Sequence, residues 1–116
     1  MMDYNICRNK VIQSWIENHH DAIQETADFI FNHPELSLNE KESSRCLAEF
    51  LEKNGFSITW GISGFETAFL AEWGSGRPIL GFLAEYDALP GLGQELCSTK
   101  KPTGGPGHGC GHNLLG

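Results

Sequence analysis

Apolar residues recur every three or four positions over the first third of the chain and at alternate positions beyond it. Ile12, Ile16, His19, Ile23, Ala27 and Ile30 mark one face of a helix over residues 9–32, with Trp15 and Phe29 widening the stripe. Asn32-His33-Pro34 ends it, because a residue before proline is pushed out of helical backbone geometry. A second helix follows. Ser37 and Glu40 have the spacing of a capping box, Leu47, Phe50 and Leu51 form the apolar face, and Asn54-Gly55 supplies the stop.

The period then changes. Phe56, Ile58, Trp60 and Ile62 alternate with smaller or polar residues, as in a half-buried strand, and Ser63-Gly64 breaks the run. Thr67–Trp73 reads as the next strand, followed by the turn-forming Gly74-Ser75-Gly76-Arg77-Pro78. Ile79–Ala84 is a continuous apolar run, the pattern of a strand buried on both faces. From Pro90 to Gly107 the composition predicts a loop of about 18 residues without structure of its own, a length usually reserved for functional or mobile segments. Two helices and then three strands make the opening of an α/β layer. The run at Ile79–Ala84 needs cover on both faces, which two helices barely supply, so the expectation is a fragment or a chain that completes its core with a partner.

Composition narrows the function. The net charge of −7, with eight scattered Lys and Arg among 116 residues, excludes a phosphate-backbone binder. No apolar run approaches the roughly 20 residues needed to span a bilayer. Met1-Met2-Asp3-Tyr4-Asn5 lacks the pattern of a secretory leader, so the expected compartment is cytoplasmic, with the four cysteines reduced. Cys46, inside an amphipathic helical pattern, reads as a packing residue, and Cys7 as part of a frayed terminus. His19 reads as a satisfied boundary histidine, His20 and His33 as polar-face and turn residues, and Trp15, Trp60 and Trp73 as core area.

Two segments carry candidate chemistry. Glu85 and Asp87 follow the most apolar strand and are one residue apart, so extended chain aims both carboxylates to one side. Strand-end acids are commonly just solvated. Such a pair can also bind a cation, orient a metal-bound imidazole or hold a proton. In Gly107-His108-Gly109-Cys110-Gly111-His112, three metal-ligating side chains stand at alternate positions separated by glycine. In an extended segment His108, Cys110 and His112 converge on one point, and the glycines leave an ion's approach open. Thiolate and imidazole together suit zinc and its neighbours. Four readings stay open. Cys110 and His112 are ligands of a catalytic metal; or Cys97, His108, Cys110 and His112 close a structural zinc site; or Cys110 is a nucleophile activated by a neighbouring histidine; or the segment is a flexible glycine-rich tail.

Ala84-Glu85-Tyr86-Asp87-Ala88-Leu89-Pro90-Gly91 followed by Gly107–Gly116 closely resembles the aminobenzoyl-glutamate hydrolase branch of the amidohydrolases. That branch belongs to metallopeptidase family twenty, the superfamily of aminoacylases and carboxypeptidase G. His33-Pro34-Glu35-Leu36-Ser37 with Glu40 resembles the same family's N-terminal signature, and the similarity runs from about Trp15 to Gly116. The resemblance implies an α/β, zinc-peptidase-like catalytic domain, of which residues 1–116 are the N-terminal portion, without the inserted lid and dimerisation domain or the C-terminal half. It implies hydrolysis of a small-molecule amide, such as an N-acyl amino acid, a dipeptide or an aminobenzoyl-glutamate, with two divalent ions, zinc or manganese, and a glutamate activating water. By position, Cys110 matches the metal-bridging cysteine, His112 a metal-binding histidine, and Asp87 the catalytic aspartate behind the metals. His108 matches a place not counted as a ligand, and Glu85 stands where other branches have a metal-binding histidine, which leaves both as outer-shell candidates. Asn113 favours the aminobenzoyl-glutamate branch. Further implications are a homodimer through the inserted domain and no nucleic-acid or membrane partner. Two ligands hold a metal loosely where tight sites use about four, so the polypeptide alone is expected to be inactive.

Overall fold

A computed structural model describes residues 4–116, with side chains from residue 9 onward. The expectations for Met1–Asp3 and for the side chain of Cys7 lie outside the described residues. The elements run α1 (Tyr4–Asn32), α2 (Lys41–Lys53), β1 (Ser57–Trp60) and β2 (Phe69–Glu72), with short 3-10 turns at Ile62–Gly64 and His112–Leu114. Helices first and strands after is the predicted α/β order.

β1 and β2 pair antiparallel, Ser57 opposite Glu72 and Trp60 opposite Phe69. The Trp60 and Phe69 rings lie 5.2 Å apart across the pair, a cross-strand aromatic contact of the kind that fixes register. α2 packs against both strands and against α1. The core is small: Ile30 from α1, Leu47 and Ala48 from α2, and Ala88 from the chain beyond the sheet. Ser43 and Ser44, also buried, allow close approach to α2.

The predicted apolar stripe of α1 is only partly used. Ile30 is fully buried, but Ile12, Trp15, Ile16 and Ile23 remain exposed. The reason is length: α1 has 29 residues against 13 in α2, and at about 1.5 Å per residue the shorter helix cannot cover the longer one. The tryptophans do not form core either, since Trp15, Trp60 and Trp73 are 44%, 46% and 71% exposed. Cys46 does pack as predicted. Burial, with the charge of Glu49, pushes its thiol up against the weaker pull of Lys53, away from reactivity.

The largest departure is at Ile79–Ala84, which forms no strand. Ile79, Leu80, Phe82 and Leu83 are 76–104% exposed. A strand exists through ladder bonds to a neighbour, and none of the described residues offers a backbone partner to this run. By contrast, the segment expected to be an unstructured loop folds back on itself. Leu89 and Gly107 exchange both backbone bonds at 3.0 Å, Gly93 donates to Gly105 and accepts from Thr103, and Glu95 donates to Lys101. Lys101 and Glu95 also form an ion pair near the tip. Glycine is required at 107, because a Cβ there would run into the backbone of Leu92 and Gly93.

The start of α2 differs from the predicted capping box. Asn39 donates to the Leu36 carbonyl at 2.9 Å, and Leu38 takes a left-handed φ of 68°. This turn delays the helix to Lys41 and makes Glu40, not Ser37, the cap residue. Glu40 makes no capping bond; its carboxylate instead accepts from the Leu38 amide (2.8 Å) and the Thr67 hydroxyl (2.7 Å). The capping is done by Glu35, whose carboxylate accepts from the amides of Glu42 (3.0 and 3.1 Å) and Ser43 (2.9 Å). An anion at a helix N-terminus satisfies free N–H groups and complements the helix dipole. The Glu35 carbonyl meanwhile accepts from Ala88 at 2.7 Å, and Leu36 bridges Ala88 in parallel. Replacing Glu35 with alanine should destabilise the chain by about 1–2 kcal/mol, and with glutamine by less, since an amide oxygen still accepts. Urea denaturation followed by circular dichroism checks the order.

Candidate metal centre

The carbonyl of Glu35 holds the chain at Ala88, one residue after Asp87, and so sets where the strand-end acids lie. The side chains then divide. Glu85 and Asp87 both reach His112, while Tyr86 between them turns to Thr67. Asp87 Oδ1 lies 2.8 Å from Nδ1 of His112, and the Asp87 carbonyl oxygen lies 3.0 Å from the same nitrogen. Glu85 Oε1 lies 3.2 Å from Nε2. The metal-ligating atoms of Glu85, Asp87 and His112 all fall within 4.8 Å of one another, and this is the one such cluster among the described residues.

The tautomer follows from these contacts. Nδ1 faces two oxygens and must donate to them, so a neutral ring carries its proton there and presents the Nε2 lone pair to Glu85. A lone pair and a carboxylate oxygen repel each other at 3.2 Å unless something positive lies between them. Either a proton or a cation satisfies that demand. Burial favours the neutral ring, but the Asp87 hydrogen bonds and the charges of Glu85 and Asp87 outweigh it, and the His112 pKa is raised above 6.5.

The Cys/His segment is not extended. Gly111 donates to the His108 carbonyl at 3.0 Å and takes a left-handed φ of 75°, so the chain turns between Cys110 and His112. Alternate residues therefore do not share one face. His112 joins the acidic pair, and Cys110 is exposed and outside the cluster. His108 turns the other way, its Nε2–H donating to the Ile30 carbonyl at 3.1 Å. Burial pushes His108 toward its neutral form against that bond, and its Nδ1 is buried with no partner among the described residues. Asn113 donates to the Ala27 carbonyl at 3.3 Å, so His108 and Asn113 together latch the segment to the end of α1. Cys97 donates to the Thr99 carbonyl at the hairpin tip, and the closed site of Cys97, His108, Cys110 and His112 does not assemble. Sequence reasoning missed Glu35 and Tyr86, although both lie inside the quoted motifs. A surface hollow of about 460 Å³, lined by Lys41, Arg45, Glu49 and Glu66 among others, holds none of the cluster residues.

No family model matches the chain. Over 110 residues, 92% of its length, it is 42% identical to a p-aminobenzoyl-glutamate hydrolase polypeptide of Escherichia coli (strain K12). Over 99 residues, 74% of its length, it is 36% identical to the Homo sapiens Xaa-Arg dipeptidase, and over 84 residues 32% identical to an uncharacterized hydrolase of Staphylococcus haemolyticus. The chain belongs to the aminobenzoyl-glutamate hydrolase-like amidohydrolases. It spans 20–23% of the length of these relatives. The family to which the two motifs pointed is thus the family of the chain. No helix among the described residues is long and apolar enough to cross a membrane.

In the metal-free chain the raised His112 value makes a signed prediction. A group with a raised folded value stabilises fully below its unfolded value, about 6.5, and the gain is lost as pH rises through the folded value. Ring-proton NMR in chelator should find His112 titrating above the ordinary histidine value of 6.5. Asp87→Asn should lower it, and should flatten the fall in urea midpoint as pH is raised from about 6.

Proposed function

We propose that this chain carries part of the cation site of a metal-dependent hydrolase of small amides, with His112 and Cys110 as ligands. The observation that supports this best is the setting of His112: Nε2 meets the Glu85 carboxylate at 3.2 Å, a contact that calls for a positive charge between them, while Nδ1 is held by Asp87 at 2.8 Å. A carboxylate behind an imidazole fixes its tautomer and raises its basicity, the arrangement found behind metal-binding histidines. The imidazole nitrogen and carboxylates of the cluster suit a divalent ion and tolerate manganese; the thiol of Cys110, two residues from His112 in sequence, would favour zinc if the turn brought it to the same ion.

A divalent ion held here supplies a polarised carbonyl and a nucleophilic water near neutral pH. The protein's own contributions are separate. Asp87 fixes the ring and keeps Nδ1 protonated. Glu85 adds negative charge on the open side of His112 and helps neutralise a dication. Cys110, exposed on the turn before His112, brings the thiol. Full activity is assigned to a longer protein in which this chain is the N-terminal portion of the catalytic domain, with two ions, a small amide substrate and a homodimer contact outside it. The names of the relatives support the amide class: aminobenzoyl-glutamate and Xaa-Arg are what those proteins are named for. A cytoplasmic location and inactivity of the chain alone belong to the same reading.

In the longer protein, Cys110→Ala should lower kcat/KM for an amide substrate by more than about 100-fold, since loss of an outer-shell group alone costs 10–100-fold. Prolonged chelation should abolish turnover and added zinc or manganese restore it. Full activity after chelation, with loss on thiol alkylation, would instead identify Cys110 as a nucleophile.

A further inference from the structure

From Gly74 through Asp87 no backbone–backbone hydrogen bond is made among the described residues; the Asp87 carbonyl meets only the His112 ring, and the next backbone–backbone bond along the chain is the Ala88 amide on the Glu35 carbonyl. Glu85 and Asp87 therefore sit at the end of a stretch held by no sheet. Between them the anchor is a side chain. The Tyr86 hydroxyl donates to the Thr67 carbonyl at 2.6 Å, and its ring stacks on Phe69, with centroids 6.1 Å apart. Thr67 is itself tied down, since its hydroxyl donates to Oε2 of Glu40 at 2.7 Å, and Glu40 is only 7% exposed. The other Glu40 oxygen takes the Leu38 amide at 2.8 Å, so the tether ends on the turn before α2.

We propose that Tyr86 is a positioning residue for the cation site, its hydroxyl tethering the Glu85–Asp87 segment through Thr67 to buried Glu40 and so holding both carboxylates on His112. The geometry stands alone; its consequence for metal binding rests on the site reading above. Alternation in extended chain makes the device possible, because the side chain between two site residues points away from the site. Burial, and after it the charge of Glu40, push the phenol up to about 12, so Tyr86 keeps its proton and remains a donor across the working pH range.

Tyr86→Phe removes one oxygen and leaves the ring on Phe69. Two readouts on the 116-residue chain separate positioning from mere stability. The first is NMR in chelator well below the thermal midpoint, following cross-peaks from the His112 ring to the Asp87 and Glu85 methylenes; these should weaken or vanish. The second is calorimetry with zinc alone, where affinity should fall about 10–100-fold, as for other outer-shell losses. Thr67→Val keeps the carbonyl but cuts the link to Glu40, and should weaken the same cross-peaks less. If Tyr86→Phe does not fold, Thr67→Val carries the test. Intact cross-peaks in the folded variant, or zinc affinity within about twofold of wild type, overturn the proposal. Lost cross-peaks in a chain whose wild type takes up no zinc uphold Tyr86 as the anchor and remove the cation-site reading instead.

Discussion

Glu35 joins the two parts of the structure that the site needs. Its carboxylate closes the open N-terminus of α2 on Glu42 and Ser43, and its carbonyl takes the amide of Ala88. One residue thereby fixes a helix end and the strand-end segment relative to each other. Without the capping bonds, the first turn of α2 would leave N–H groups unsatisfied beside the buried Ser43 and Ser44. Without the carbonyl bond, Asp87 would lose its nearest backbone anchor. The helix dipole favours a charged carboxylate here over any neutral cap, which is a physical reason for glutamate at this position.

Around this joint the site is assembled from residues distant in sequence. Asp87 and His112 are 25 positions apart, and the latch from His108 to Ile30 spans 78. Each contact is small, but they share a direction. The α1 end holds His108 and Asn113, the α2 end holds Glu35, and the buried Glu40–Thr67 pair holds Tyr86. His112 sits where these constraints meet. Polar groups linked in this way specify one arrangement, because each unmet partner would carry a desolvation cost.

Much of this was legible in the sequence, for identifiable reasons. Glu85 and Asp87 share a side because the period of extended chain is two, whether or not a ladder forms. The partnership of that pair with His112 was written in two motifs whose residue types suit one cation. The role of His108 was not legible, because its partner is a helix-end carbonyl that no side-chain pattern reports. The capping box failed because Leu38 entered a left-handed turn, a choice outside ordinary propensity. The alternation of His108, Cys110 and His112 misled, because Gly111 uses its freedom to turn the chain rather than to clear a path for an ion. The apolar run at Ile79–Ala84 has the composition of a buried strand, but composition cannot supply a ladder partner.

That run bears on the site directly, since Glu85 follows it. Fully burying Ile79, Leu80, Phe82 and Leu83 is worth about 1.5–3 kcal/mol each, so roughly 6–12 kcal/mol of hydrophobic stabilisation is unrealised while they are exposed. That equals much of the net stability of an ordinary domain, about 5–15 kcal/mol. Ladder bonds along Ile79–Ala84 would extend the support of Glu85 upstream and lessen the dependence on Tyr86. The two anchors therefore trade off. While the run is uncovered, a phenol hydroxyl and one backbone amide fix the acids, and the precision of the imidazole's surroundings is set by two hydrogen bonds. Once the run is covered, the same acids are fixed by a strand, and the hydroxyl refines an arrangement already imposed by the sheet.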